Sequence, residues 1–293
     1  MARETFITLK NGYRLWSKTV GDGPGIPLLT LHGGPGAGHD YLEPLEALGN
    51  DRPVIFYDQL GCGKSDRPDA RPLWTIERFA DEIDEVRLAL GLEEVHMLGQ
   101  SWGGWLGVEY LLRQPRGLKS FVLASTSSSL PQFSAECERL IGELPQDMRE
   151  ALALHGPHGE FDHPAYAAAA QEFYMRHVCR LPVWPDCLMR TVANLDHNAV
   201  YEAMNGPNEF TVIGNLRYWN RTAELPAVKT PVLITVGRYD ELSPACAQTM
   251  YDQLPDAKMV IFEHSAHTAH IEEPELYMKT VADFLKSVEG SAT

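Results

Sequence analysis

Gly99-Gln-Ser-Trp-Gly103 has the form G-x-S-x-G, between an apolar run that reads as a strand and a stretch that reads as a helix. On such a tight turn a serine is held with its hydroxyl above the sheet edge and a helix N-terminus beneath it. Small residues two positions to either side let the chains pass. This is the setting of a nucleophile. Serine is a weak one at neutral pH, so it needs a base, and the base needs a carboxylate to orient it. The order expected for a strand–turn–helix nucleophile is serine, acid, histidine. Asp240 follows the run PVLITVG and His267 follows the run MVIFE, in that order. Serine rather than aspartate at position 101 implies an acyl-serine intermediate.

His264, His267 and His270 are spaced three apart and would share a face on a helix, as metal ligands do. No cysteine accompanies them and the serine already needs one of them, so neither a metal nor any other cofactor is expected. His267 is the expected base, because it sits in the small-residue loop Ser265-Ala-His-Thr-Ala269 before the last helix. The oxyanion needs two backbone N–H groups aimed where charge develops. Trp102, just after the nucleophile, should supply one. His32-Gly-Gly-Pro-Gly36 should supply the other; Pro35 has no N–H, which leaves Gly33 or Gly34, with Gly34 favoured. A phosphate loop is excluded by the lack of G-K-[ST] or G-x-G-x-x-G. Directly after Asp240 stands a second acid, Glu241, which a serine–histidine–acid set does not require.

These residues must be carried by a frame. TFITLK and YRLWSKTV flank Asn11-Gly12, a hairpin signal. PLLTLH, PVIFYD, VHMLG, FVLAS, PVLITVG and MVIFE are short, almost wholly apolar runs, as expected of parallel strands covered on both faces. Between them, TIERFADEIDEVRLALG places Ile76, Phe79, Ile83, Val86 and Leu90 on one stripe, with Thr75 to cap its start and Gly91 its end. WGGWLGVEYLLRQ follows the serine turn, and PELYMKTVADFLKSV supplies a final helix. The alternation implies an α/β three-layer sandwich with a mostly parallel sheet. From about Leu130 to Leu225 no buried strand is legible. This region reads as a helical cap of residues 130–225 inserted into a core of residues 1–129 and 226–293.

The 293 residues are 44% apolar and 22% charged, ordinary for a globular protein, and the formal charge of −15 argues against a nucleic-acid partner. No run approaches the roughly 18 apolar residues of a membrane span. The first residues lack an apolar core of signal-peptide length. Five scattered cysteines without a C-x-x-C pair suggest neither a disulfide framework nor a structural zinc, so a reducing cytoplasm is the expected setting.

HGGPG, Asp58-Gln-Leu-Gly-Cys-Gly-Lys-Ser65, Gly99-Gln-Ser-Trp-Gly-Gly104, Gly237-Arg-Tyr-Asp-Glu241 and the His267 loop ending in Glu-Glu-Pro together resemble the proline iminopeptidase family of α/β-hydrolases. The resemblance covers nearly the whole chain. Around Met204-Asn-Gly-Pro-Asn-Glu-Phe210 the cap is most similar to the tricorn-interacting aminopeptidase type. The resemblance implies an exopeptidase that removes an N-terminal residue, often proline, through an acyl-enzyme. It also implies that Glu209 and Glu241 bind the substrate's free ammonium. The partner is then a small peptide or amino-acid amide with a free N-terminus; an L-amino-acid amidase and an esterase or lactonase of the same fold are the alternatives, and a non-catalytic ligand receptor is the reading from another class. Phe173, Tyr174, Trp184, Tyr218 and Trp219 offer aromatic walls for a prolyl slot. Oligomeric state stays open.

Overall fold

The computed structural model describes residues 2–290. Among the described residues, eight strands form one sheet in the order β1-β2-β4-β3-β5-β6-β7-β8. β1 (Arg3–Thr8) and β2 (Arg14–Val20) are the antiparallel hairpin, turning at Gly12 with φ 88°. β3 (Leu28–Leu31), β4 (Val54–Tyr57), β5 (Val95–Gln100), β6 (Leu118–Ala124), β7 (Val232–Gly237) and β8 (Ala257–Phe262) run parallel to their neighbours from β4 onward. β3, β4, β5 and β7 are buried at every position and β6 at all but Lys119, as their continuous apolar runs require. β8 departs from that expectation. It is the sheet edge, Lys258 is exposed, and Met259, Val260 and Ile261 are only half-buried, because one flank of the strand has no neighbour.

Helices cover both faces. α1 (Ile76–Leu90) starts where the Thr75 hydroxyl accepts the Arg78 N–H and ends at Gly91 in the left-handed region. α2 (Trp102–Leu112) leaves the serine turn and is buried almost all round. Between β6 and β7 lie α3 (Leu130–Gly142), α4 (Gln146–His155), α5 (Pro164–His177), α6 (Asp186–Leu195) and α7 (Ala199–Met204). This stretch contains no strand beyond a single bridge, Ser129 to Asn220. α8 (Pro244–Gln253), the short α9 (Ala269–Glu272) and α10 (Pro274–Gly290) complete the chain. Among the described residues no helix is long and apolar enough to cross a membrane.

The helices between β6 and β7 are tied to the segments after β3 and β7 by charge and by hydrogen bonds. Arg190 on α6 bridges Asp40 at 2.8 Å and Glu43 at 2.6 Å. The Tyr41 N–H donates to the Thr191 hydroxyl at 3.1 Å. At the end of α5, the His177 carbonyl accepts the Glu241 N–H at 3.2 Å and the His177 ring bonds the Tyr239 carbonyl at 2.8 Å. The end of α5 thereby holds the loop that carries both acids.

Candidate active site

Ser101 sits at φ 57°, ψ −122°, a strained position for a residue with a side chain, between β5 and α2. Its N–H donates to the Ala124 carbonyl at 3.0 Å, and its carbonyl accepts from Thr126 at 2.9 Å and from the Gly104 N–H at 2.8 Å. The glycines of the motif answer a steric demand. A Cβ at Gly99 would lie 2.1 Å from the Gly103 carbonyl oxygen, and one at Gly103 would lie 2.1 Å from that of Leu31.

β7 and β8 deliver the acid and the histidine to the same end of the sheet. His267 Nδ1 lies 2.9 Å from Asp240 Oδ1, which also accepts the Leu242 N–H at 2.9 Å. Both side chains are buried. His267 Nε2 stands 4.0 Å from Glu241 Oε1. Ser101 and His267 line one cavity together with Gly34 and Glu209. The other two histidines diverge. His264 is exposed, and His270 is buried on α9 with Nε2 3.0 Å from the Tyr41 carbonyl. The three therefore do not share a face.

The glycine loop after β3 lies over the serine; a Cβ on Gly33 would meet Ser101 Cβ at 3.1 Å. The two candidate amides differ in what they already hold. The Gly33 N–H donates to the Tyr41 hydroxyl at 2.8 Å. Among the described residues no acceptor takes the Gly34 N–H, and Gly34 holds φ 107°, which suits glycine. The DQLGCGKS stretch supports this loop from below. Gln59 donates to the His32 carbonyl at 3.1 Å and accepts the Trp102 indole N–H at 2.8 Å. Buried Asp58 takes both the backbone N–H and Nδ1 of His39 at 2.8 Å.

Glu241 is the least expected group in this frame. It is fully buried, and neither carboxylate oxygen has a hydrogen-bond partner. Burial, then the nearby Glu209, then Asp240 push its carboxyl well above the usual range, against the pull of His267. Glu209 is raised too, chiefly by burial, although it accepts the Tyr201 hydroxyl at 2.9 Å. Burial alone would lower His267, but Asp240, Glu241 and Glu209 outweigh it and push the imidazole up to about 9. Three acidic side chains thus surround one imidazole.

Of the five aromatics offered by the sequence, Tyr174 and Trp184 line the cavity. Phe173 is packed in the core, Trp219 is buried with its indole N–H on Glu109, and Tyr218 is exposed. Tyr41 and Tyr201 line it instead. Tyr41 is also a junction that no sequence motif marks. Its hydroxyl accepts the Gly33 N–H and donates to Gln100 Oε1, and Gln100 Nε2 donates to the His267 carbonyl at 3.0 Å. One hydroxyl links the glycine loop, the residue before the nucleophile and the histidine loop. Tyr41→Phe is expected to lower kcat about tenfold with little change in KM, since it loosens positioning without removing a reacting group. Steady-state rates on an aminoacyl arylamide check this; a rise in KM alone would place Tyr41 in substrate binding.

A family model described as the alpha/beta hydrolase fold matches residues 26–274. The chain is 41% identical to a proline iminopeptidase of Heyndrickxia coagulans, over 98% of this chain and 100% of the relative. Among solved structures, a proline iminopeptidase of Mycobacterium smegmatis superposes with TM-score 0.93 at 39% identity, covering 99% of this chain and 100% of that one. The structure of VinJ superposes with TM-score 0.94 at 37% identity, covering 98% and 99%. Full-length similarity at this level, on a sheet that brings serine, histidine and acid to one edge, has one consequence: the chain belongs to the proline iminopeptidase family of α/β-hydrolase aminopeptidases.

Proposed function

We propose that this aminopeptidase releases the N-terminal residue of small peptides, proline among its preferred residues, by way of an acyl-enzyme on Ser101. The observation that carries the reading is Glu241, a buried carboxylate with no hydrogen-bond partner, 4.0 Å from the imidazole. A buried charge requires compensation. A substrate ammonium placed between Glu241 and Glu209 supplies it. Two acids on that side would hold a terminal ammonium, which makes a chain terminus the expected substrate end.

Ser101 Oγ attacks the carbonyl carbon while His267 Nε2 takes its proton. Asp240 holds Nδ1–H and stabilises the imidazolium. The Gly34 and Trp102 N–H groups bind the oxyanion. As the tetrahedral adduct collapses, the C–N bond breaks and His267 returns the proton to the leaving amine. A water deprotonated by His267 then attacks the acyl-serine and frees the amino acid. No step in this scheme calls on a metal or an organic cofactor. The cavity, about 940 Å³, favours a substantial leaving group over the ammonia released by an amidase. The core of residues 1–129 and 226–293 supplies the reacting groups, and the cap of residues 130–225 supplies Glu209. Five free thiols support a reducing, cytoplasmic setting.

A panel of aminoacyl β-naphthylamides and amino-acid amides, with Ser101→Ala as control, tests the assignment. The expected result is turnover of free-amine arylamides, highest or near highest for prolyl, with loss of about 10³-fold or more in the control. Undiminished turnover by Ser101→Ala overturns it.

A further inference from the structure

We infer that the leaving-group side of the cavity is built for an apolar, uncharged amine, and that it rejects a leaving residue whose free α-carboxylate lies next to the scissile bond. The inference rests on the aminopeptidase reading and deepens it: the substrates of choice are aminoacyl conjugates of apolar amines and peptides longer than two residues, rather than dipeptides.

The sheet order fixes which side this is. Ser101 follows β5, Glu241 follows β7, two places along, and Gly34 follows β3 on the opposite flank. α6 packs over the segment after β3, held by Arg190 to Asp40 and Glu43. Glu241 and α6 therefore lie on opposite flanks of the nucleophile. A substrate anchored by its amine at Glu241 directs its far end toward α6.

The α6 wall is apolar. Leu188, Met189, Val192 and Leu195 line it. Met189 is 50% and Val192 41% exposed, and Ile213 at the mouth is 63% exposed. Apolar side chains left uncovered around a reactive site are covered when an apolar group enters. Apart from the imidazole of His267 at the nucleophile, the charges lining the cavity are negative. Asp162, Asp196, Glu202 and Glu209 contribute to the lining, and among the described residues no lysine or arginine does. The other histidine in the lining is His197, exposed and 3.6 Å from Asp196. The net charge of −15 adds the same sign at longer range. A carboxylate entering this space away from His267 loses water, finds no lysine or arginine and meets like charge. A dipeptide places its carboxylate there. Each further residue moves it outward by about 3.3–3.6 Å, and beyond about 8 Å salt screens it at physiological strength.

The test measures kcat/KM for three substrates sharing the best N-terminal residue from the panel: the X-Leu dipeptide, X-Leu-amide and X-Gly-amide. We expect X-Leu-amide to exceed X-Leu by about fivefold or more, with the gap narrowing as salt is added. X-Leu-amide should also exceed X-Gly-amide severalfold. Met189→Lys changes an exposed position on a helix and supplies the missing cation; it should raise X-Leu relative to X-Leu-amide. Equal rates on acid and amide, or a gap indifferent to both salt and Met189→Lys, overturn the inference while leaving the aminopeptidase intact. No turnover of any of the three overturns the aminopeptidase reading and this inference with it.

Discussion

Asp240→Asn is expected to lower kcat by about 10⁴-fold with the fold and KM nearly unchanged. Asp240 Oδ1 accepts from His267 Nδ1 and from the Leu242 N–H, both at 2.9 Å. This arrangement keeps the proton on Nδ1 and leaves Nε2 to act as base. An asparagine that keeps its oxygen on Leu242 loses the charge that stabilises the imidazolium. One that turns its amide toward Nδ1 selects the wrong tautomer. Either way the cost falls on the step that creates imidazolium, so it appears in kcat. The neighbouring acid provides the contrast. Glu241 approaches the other ring nitrogen, Nε2, at 4.0 Å, so it cannot take over the orienting role. Arylamide kinetics with circular dichroism and thermal melting check the outcome; a loss under tenfold would remove Asp240 from the mechanism.

The parts of this molecule that follow from local rules were legible in the sequence. Thr75 and Gly91 bracket α1 because a cap hydroxyl and a left-handed terminus are local demands. The buried strands announce themselves as apolar runs, and Gly99 and Gly103 as positions without room for a Cβ. What composition does not encode is position within the sheet: MVIFE is as apolar as its neighbours, yet β8 is an edge. The choice between Gly33 and Gly34 turns on the Tyr41 hydroxyl, which lies in an irregular helical segment interrupted by Pro44 and matches no motif. The cap aromatics were beyond periodicity as well. Phe173 and Tyr174 are adjacent on α5, and only the packing of α5 decides which one faces the core and which the cavity. Glu209 lies in a loop after α7, and only the family resemblance singled it out.

N-acetylation of a good substrate is expected to reduce kcat/KM by about 10²–10³-fold, the cost of leaving one buried charge unpaired. The effect is larger than a lost hydrogen bond because Glu241 has no other partner. Glu241→Gln should cause a loss of similar order on free-amine substrates and little loss on an ester without an amine. Two further readouts separate an ammonium site from a merely structural acid. Glu241 is among the groups that hold His267 up at about 9. Removing its charge lowers the imidazole pKa, so the acidic limb of kcat/KM moves to lower pH in Glu241→Gln. In the wild type a bound ammonium should neutralise the same charge, so the acidic limb of kcat is expected below that of kcat/KM. The stability effect has the opposite sense to the activity effect. A carboxyl whose pKa is raised on folding binds its proton more tightly in the native state, so its contribution to stability declines as pH rises above the unfolded value of about 4.5. At pH 7 to 8 Glu241→Gln should therefore melt at a higher temperature than the wild type while turning over peptides more slowly. A variant that loses both stability and activity would make Glu241 part of the scaffold, and the ammonium would need another anchor.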